Sequence, residues 1–310
     1  MIYTLGECLL ELIFKEGKQI KAIAGGSAIN TAVSLGRLNL PVHILTEFGL
    51  DEDGAKLEIF FQKNNVSLEN VYRHKDGKTT ISNAILNDRN EARYKFFSDP
   101  PAERFNIPLP EFTGDDIFLM GSWFAINPLL REKVKKIISQ ARSAGALIVY
   151  DPNFREVHLD EISTLIPIIE ENILLADIVR GSDEDFNYIF NTEDPIQVFS
   201  KIKTVNPCLI YTMGKQGVLL QTKYYQKHFI TPEITPVSTI GAGDNFNAGL
   251  IYSLNKKKII RDDLIALVNT DWDFLVQTGI QFASNVCMSD ENYISESFAQ
   301  NLKNEQLGKF

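Results

Sequence analysis

Two short glycine segments hold residues whose types could do chemistry. The first reads Val237-Ser-Thr-Ile-Gly-Ala-Gly-Asp-Asn-Phe-Asn-Ala-Gly249. Gly241, Ala242 and Gly243 have little or no side chain and stand where a loop should enter a helix. Such a turn lets a phosphate approach backbone N–H groups, and the helix dipole adds partial positive charge at the same point. Asp244 follows at once. A carboxylate there would repel a phosphate that was only bound. It suits a base that takes a hydroxyl proton while backbone donors stabilise a transferring phosphoryl group. The local pattern equally allows a tight turn with Asp244 as a helix cap. The second segment, Ala24-Gly25-Gly26-Ser27-Ala28-Ile29-Asn30, also leads into a helix. Paired glycines followed by polar side chains suit a small polyhydroxyl ligand. The alternative is a strand-to-helix turn capped by Ser27.

Other motif chemistry falls away. Gly77-Lys78-Thr79 ends like a phosphate-binding P-loop, but Tyr72 stands where its first glycine belongs. A dinucleotide fingerprint fails at Phe246. No HExxH is present, and His43, His74, His158 and His228 are isolated, as structural or exposed histidines are. Cys8, Cys208 and Cys287 are too far apart for a CxxC site and read as reduced, buried thiols. The net charge of −9 over 310 residues argues against nucleic acid or an anionic membrane as partner. An anionic ligand would then need a local field from helix N-termini, backbone N–H groups, a few cations or a metal. The first residues lack the basic and apolar regions of a signal peptide, and no apolar run approaches a membrane span. A cytoplasmic protein is the expectation.

The elements that must position these segments follow from periodicity. Strands are expected at Ile2–Leu5, Cys8–Phe14 and Gln19–Ala24, then a helix at Asn30–Leu38 and a strand at Val42–Thr46. A helix over Asp51–Asn64 would bury Leu57, Phe60 and Phe61. Residues 79–97 read as two antiparallel strands about an Asn87-Asp88-Arg89-Asn90 turn. From residue 115 strands alternate with helices. Strands are expected at Ile117–Met120, Ala146–Tyr150, Ile178–Val179, Cys208–Thr212 and Gly217–Gln221, and helices at 128–143, 161–173, 183–190, 243–254, 262–268 and 272–286. The almost wholly apolar run Ala146–Tyr150 suits a parallel strand covered on both faces. This alternation predicts one α/β domain over 1–310 with a doubly wound, mostly parallel sheet flanked by helices. The segments 8–24 and 79–97 would form a small β-sheet set apart from it.

Taken in order, Gly25-Gly26 with Asn30 and then Gly241-Ala242-Gly243-Asp244 resemble the ribokinase/PfkB family of carbohydrate kinases. Gly6-Glu7 with Glu11 looks like the family's opening strand. Asp151-Pro-Asn-Phe-Arg155 resembles a segment of its fructokinase and 2-keto-3-deoxygluconate kinase branches, and Thr212-Met-Gly214-Lys-Gln-Gly217 its nucleotide segment. The resemblance runs from about residue 2 to 298. It implies that Gly241, Ala242 and Gly243 form the anion hole for the γ-phosphate of ATP and that Asp244 is the base. Glu11, Gly25, Gly26 and Asn30 would face the sugar hydroxyls. Thr212, Gly214 and Gly217 would line the nucleotide side, with Asn285 at the base or ribose. The small sheet would be a lid, with Arg93 on it. Arg93 and Arg155 would meet the substrate; a surface charge and a structural salt bridge are their respective alternatives.

Three departures matter. Ser238-Thr239 stands where the family motif begins Asp-Thr, and that Asp helps hold a monovalent cation in several relatives, so potassium activation is in question. Glu11 replaces the more frequent Asp, and its longer side chain should reach further into the sugar pocket. The family's N-x-x-E segment reads Ser182-Asp-Glu-Asp185 here, so Ser182 and Asp185, or Glu184 by a small shift, would organise Mg2+ and phosphate. The resemblance thus implies a fructokinase-like enzyme moving the γ-phosphoryl of MgATP to a primary hydroxyl of a small sugar. A 2-keto-3-deoxygluconate kinase is the nearest rival. From another class comes a catalytically silent sugar-binding protein, suggested only by Ser238 and Ser182. A homodimer through the exposed lid edges is a further expectation.

Overall fold

The computed structural model describes residues 1–310 except 87–91, 203, 205–206 and 308–310; of 86, 92–94 and 305–307 only the backbone is described. The expected Asn87–Asn90 turn lies outside the described residues. The strands are β1 (Ile2–Leu5), β2 (Leu9–Lys15), β3 (Lys18–Gly25), β4 (Val42–Gly49), β5 (Val66–Ser67), β6 (Val71–His74), β7 (Lys78–Leu86), β8 (Ala92–Asp99), β9 (Ile117–Gly121), β10 (Leu147–Asp151), β11 (Ile178–Ser182), β12 (Cys208–Thr212), β13 (Val218–Thr222) and β14 (Gln226–Phe229). The helices are α1 (Ser27–Arg37), α2 (Glu52–Lys63), α3 (Ser122–Ile126), α4 (Arg131–Ser143), α5 (Ile162–Leu175), α6 (Asp183–Phe190), α7 (Pro195–Lys201), α8 (Ala242–Lys257), α9 (Asn269–Cys287) and α10 (Glu296–Leu307).

The main sheet runs β14-β13-β12-β11-β10-β9-β1-β4-β5, with β6 also paired to β4. From β12 to β5 every pair is parallel, and only β13 and β14 are antiparallel. Alternation explains its two cores. Ile2, Ile117, Leu119, Leu147 and Val149 point to the face covered by α1, α2, α8, α9 and α10. Their neighbours Tyr3, Leu5, Phe118, Met120, Ile148 and Tyr150 point to the face of α3 to α7. All five residues of β9 and of β10 are buried. The strand order reverses beside β1, so the crevice outside the carboxyl ends of β1 and β9 to β12 is where an open α/β sheet binds its ligand.

A separate four-stranded sheet, β3-β2-β7-β8, rises from this platform. β2 pairs antiparallel with β3 but parallel with β7, so one strand joins the two sequence-distant hairpins. Its side chains are far less buried: Ile20, Ile85 and Phe97 are exposed.

Some elements differ from the expectation. The turn Arg261–Ala266 is a 3-10 helix that stops before α9, not a helix through 268. The short edge strands β5, β6 and β14 and the helices α7 and α10 carry too weak a period to be read. Helix α1 begins at Ser27, three residues earlier than its apolar spacing suggests. Gly26 is its N-cap, so Ser27 does not cap it and its hydroxyl is free for other work. No described helix is long and apolar enough to cross a membrane.

Candidate active site

The strand ends bring four of the sequence segments to one edge. β1 runs into Gly6-Glu7, β10 ends at Asp151, β11 at Ser182 and β12 at Thr212. Helix α8 points its first turn at the same edge. Gly241 is its N-cap with φ 78°, in the left-handed region, and a Cβ there would lie 2.6 Å from the Asn292 carbonyl oxygen. Only glycine meets both demands. The Ala242 N–H bonds Thr239 O at 3.2 Å, while no described residue accepts from the N–H groups of Gly243 and Asp244. These are free donors of a helix N-terminus, partly open to solvent at 241–243.

Asp244 is buried and does not cap the helix. One carboxylate oxygen accepts from Ser27 Oγ at 2.6 Å, the other from Asn30 Nδ2 at 2.7 Å. Thr31 Oγ1 donates to its backbone carbonyl at 2.8 Å. Burial pushes the Asp244 carboxyl above its ordinary range; the Asn30 and Ser27 bonds and the charge of Arg155 oppose that rise, and Asp151 adds to it. A desolvated carboxylate with a raised pKa is a stronger base than an exposed one.

Gly25 and Gly26 bring the α1 turn close. Gly26 has φ 122°, and a Cβ there would lie 2.2 Å from Glu7 O. A Cβ on Gly25 would lie 3.8 Å from the Glu11 Cβ, so Glu11 stands beside the glycine pair. Glu11 is half-buried, and burial alone raises its carboxyl. No described residue donates to it. Asn30 uses its amide on Asp244, which leaves its buried Oδ1 without a partner. Arg155 is exposed and forms no ion pair with a described residue, yet its charge reaches Glu7 and Asp244. Arg93 lies in β8 opposite Ile85; its side chain is outside the described residues.

On the other flank, Gly214 and Gly217 have φ 53° and 106° and shape the 3-10 turn after β12. Beside it opens a cleft of about 300 Å³ lined by Lys227, His228, Phe229, Ile230, Gln277 and Ile280. A Cβ on Gly217 would lie 2.2 Å from Phe229 O. Asn285 does not line this cleft, and its Oδ1 accepts from Ser295 N at 3.3 Å. Asp185 closes a capping box with Ser182 at the start of α6 and accepts from Phe154 N at 2.7 Å. Burial first and the Asp151 charge second push its carboxyl up. Glu184 is exposed and accepts from Tyr188 Oη at 3.0 Å. Among the described residues no group of three or more His, Cys, Asp or Glu side chains could hold a metal ion. A ready-made magnesium cage is therefore absent from them, as is usual where magnesium arrives on nucleotide phosphates.

Several site residues escape sequence reasoning. Arg180 of β11 is 5% exposed and Asp151 is 1% exposed. Arg180 donates to Asp151 Oδ2 at 2.8 Å and to Thr212 Oγ1 at 2.8 Å, and Asn247 Nδ2 donates to the same Asp151 oxygen at 2.6 Å. Glu7, its carboxyl raised by burial, accepts from Ser122 Oγ and, at 3.3 Å, from Phe124 N. A charged residue in the buried run Ile178-Val179-Arg180 was the one available signal, because an arginine in a central strand needs a partner.

Comparison with known proteins accords with this geometry. A family profile described as pfkB family carbohydrate kinase matches residues 1–288. The chain belongs to that family, and it is a carbohydrate kinase. The fructokinase of Salmonella typhimurium is 26% identical over 263 residues, covering 82% of this chain and 84% of the relative. The fructokinase of Escherichia coli is 25% identical over 267 residues, covering 84% and 87%. The fold matches Vibrio cholerae O395 fructokinase bound to fructose, ADP and calcium with a TM-score of 0.82 at 20% identity, over 97% of each chain. It matches Salmonella enterica aminoimidazole riboside kinase, bound to aminoimidazole riboside and an ATP analog, with a TM-score of 0.82 at 20% identity over 98% of each.

Proposed function

We propose that this carbohydrate kinase transfers the γ-phosphoryl of MgATP to a primary hydroxyl of a small sugar, with fructose the favoured acceptor. The observation that carries the reading is the first turn of α8. It sets a buried, raised-pKa carboxylate at Asp244 next to unengaged backbone donors. The acceptor hydroxyl gives its proton to Asp244 as its oxygen bonds to the γ-phosphorus. The bond from that phosphorus to the bridging oxygen breaks, and ADP leaves. The glycine turn Gly241–Gly243 lets the transferring group approach, and the free N–H groups of Gly243 and Asp244 stabilise its charge. Glu11, the unpartnered Asn30 Oδ1 and the backbone at Gly25 and Gly26 hold the sugar hydroxyls by hydrogen bonds. Thr212, Gly214 and Gly217 line the nucleotide side, with the base in the cleft beside β14. Bound magnesium supplies charge neutralisation, and Glu184 or Asp185 would reach it through water.

The names of the curated relatives favour fructose. One observation favours an acidic sugar such as 2-keto-3-deoxygluconate: Arg155 is a cation without an ion pair among the described residues, close enough to act on Asp244. The small sheet would act as a lid that excludes water, and its exposed Ile20, Ile85 and Phe97 favour a homodimer through it. The three free, buried cysteines suit the cytoplasm. Coupled ATP turnover against fructose, ketodeoxygluconate, ribose and adenosine tests the reading. Turnover of fructose above the others is expected; preference for ketodeoxygluconate would move the assignment to the acidic sugar. Silence with the whole panel would sink the kinase chemistry in favour of a sugar-binding protein.

A further inference from the structure

Helix α8 presents Gly243, Phe246 and Asn247 on one stripe, since positions three and four apart share a face. All three face the Arg180–Asp151 pair. A Cβ added to Gly243 would lie 2.7 Å from Arg180 Nη1 and 3.0 Å from Nη2. The guanidinium carbon lies 5.6 Å from the centroid of the Phe246 ring. Asn247 shares Asp151 Oδ2 with Arg180. The guanidinium is itself pinned at both ends, by Asp151 on β10 and Thr212 on β12. Its planar fork spans these partners in a way a lysine ammonium cannot. Gly243 therefore has a reason to be glycine beyond phosphate access: its Cα rests against a fixed, buried cation.

We propose that Arg180 is a positioning residue for phosphoryl transfer: held by Asp151 and Thr212, its guanidinium is the wall that sets the Gly241–Gly243 turn and fixes where its backbone donors point. This rests on the kinase reading of that turn. Arg180 need not touch the nucleotide. It acts through Gly243, and donors displaced by a fraction of an ångström lose transition-state stabilisation before they lose ground-state binding.

The test uses the full chain, with fructose and ATP as probes. Arg180→Lys should melt as a folded protein, keep KM for fructose within about twofold and lose about 10- to 100-fold in kcat, the range for a mispositioned donor set. Gly243→Ala should lose a similar factor. The double variant Arg180→Lys/Gly243→Ala should be no worse than the poorer single one, because both act on one contact. Should Arg180→Lys not fold, Thr212→Val removes one anchor alone and should lower kcat about threefold with fructose KM unchanged. An Arg180→Lys enzyme within twofold of the parent kcat, or a double variant showing the product of the two single losses, would overturn the proposal. Lack of turnover by the parent chain with any sugar would instead be a failure of the kinase reading. Amide hydrogen exchange then decides about Arg180: altered protection over residues 241–244 in Arg180→Lys supports it, and unchanged protection there overturns it.

Discussion

The first turn of α8 is gripped from two sides by different chemistry. Towards α1, neutral donors hold it: Ser27, Asn30 and Thr31 bond Asp244, and Ser34 bonds Asn245. Towards β10 and β11 a buried ion pair holds it, Asp151 with Arg180. A hydrogen bond from a neutral donor to a charged group contributes about 1.5–3 kcal/mol, whereas breaking a buried pair by removing one partner costs about 3–5 kcal/mol. The difference has a use. A cation bonded directly to Asp244 would hold it ionised and make it a poor base. Neutral donors orient it and leave it able to take a proton. The charge lies on the other flank, under the glycine turn, where negative charge develops in the transfer.

The largest expected effect is on the base. Asp244→Asn should lower kcat by about 10² to 10⁴ with little change in ATP affinity, seen in steady-state kinetics and nucleotide titration. An unchanged kcat would remove Asp244 from the chemistry and with it the contrast between the flanks. Next is stability. Arg180→Met strands the Asp151 carboxylate in the core and should cost about 3–5 kcal/mol in urea unfolding. Adding Asp151→Leu should recover most of it, and failure to recover would mean that the pair does not govern that flank. A smaller effect is expected at the sugar. Glu11→Gln should raise the sugar KM about tenfold at unchanged ATP KM, the loss of one charge-assisted hydrogen bond. The smallest is a pH shift. Asp244 must be ionised to act, and burial raises its pKa, so the acid limb of kcat/KM should lie above the usual carboxylate range. Ser27 and Asn30 lower that pKa by bonding the charged form, so Asn30→Ala should move the limb to higher pH. A limb that stays put would mean that another group sets it.

The two sheets differ in how legible they are. Strands of the main sheet are buried on both faces, so β9 and β10 read as continuous apolar runs. Strands of the small sheet are half-exposed, and β2 joins its two hairpins through parallel pairing with β7, which no local turn signals. The short β14 has a weak pattern, yet it helps shape the 300 Å³ cleft.

By itself the sequence determined that a glycine turn, an aspartate and a helix start fall together at 241–244, and that a second glycine pair leads into α1. Backbone chemistry is local, so these were readable from residue type and order alone. Left undecided at that level was whether Asp244 is a helix cap or a base. The tertiary structure bears on this by burying the carboxylate against Ser27 and Asn30, more than two hundred residues away in sequence. It alone put Arg180 beneath Gly243, through the register of β10, β11 and β12. Desolvation and ion pairing depend on what surrounds a group in space, and that is decided only when the strands align.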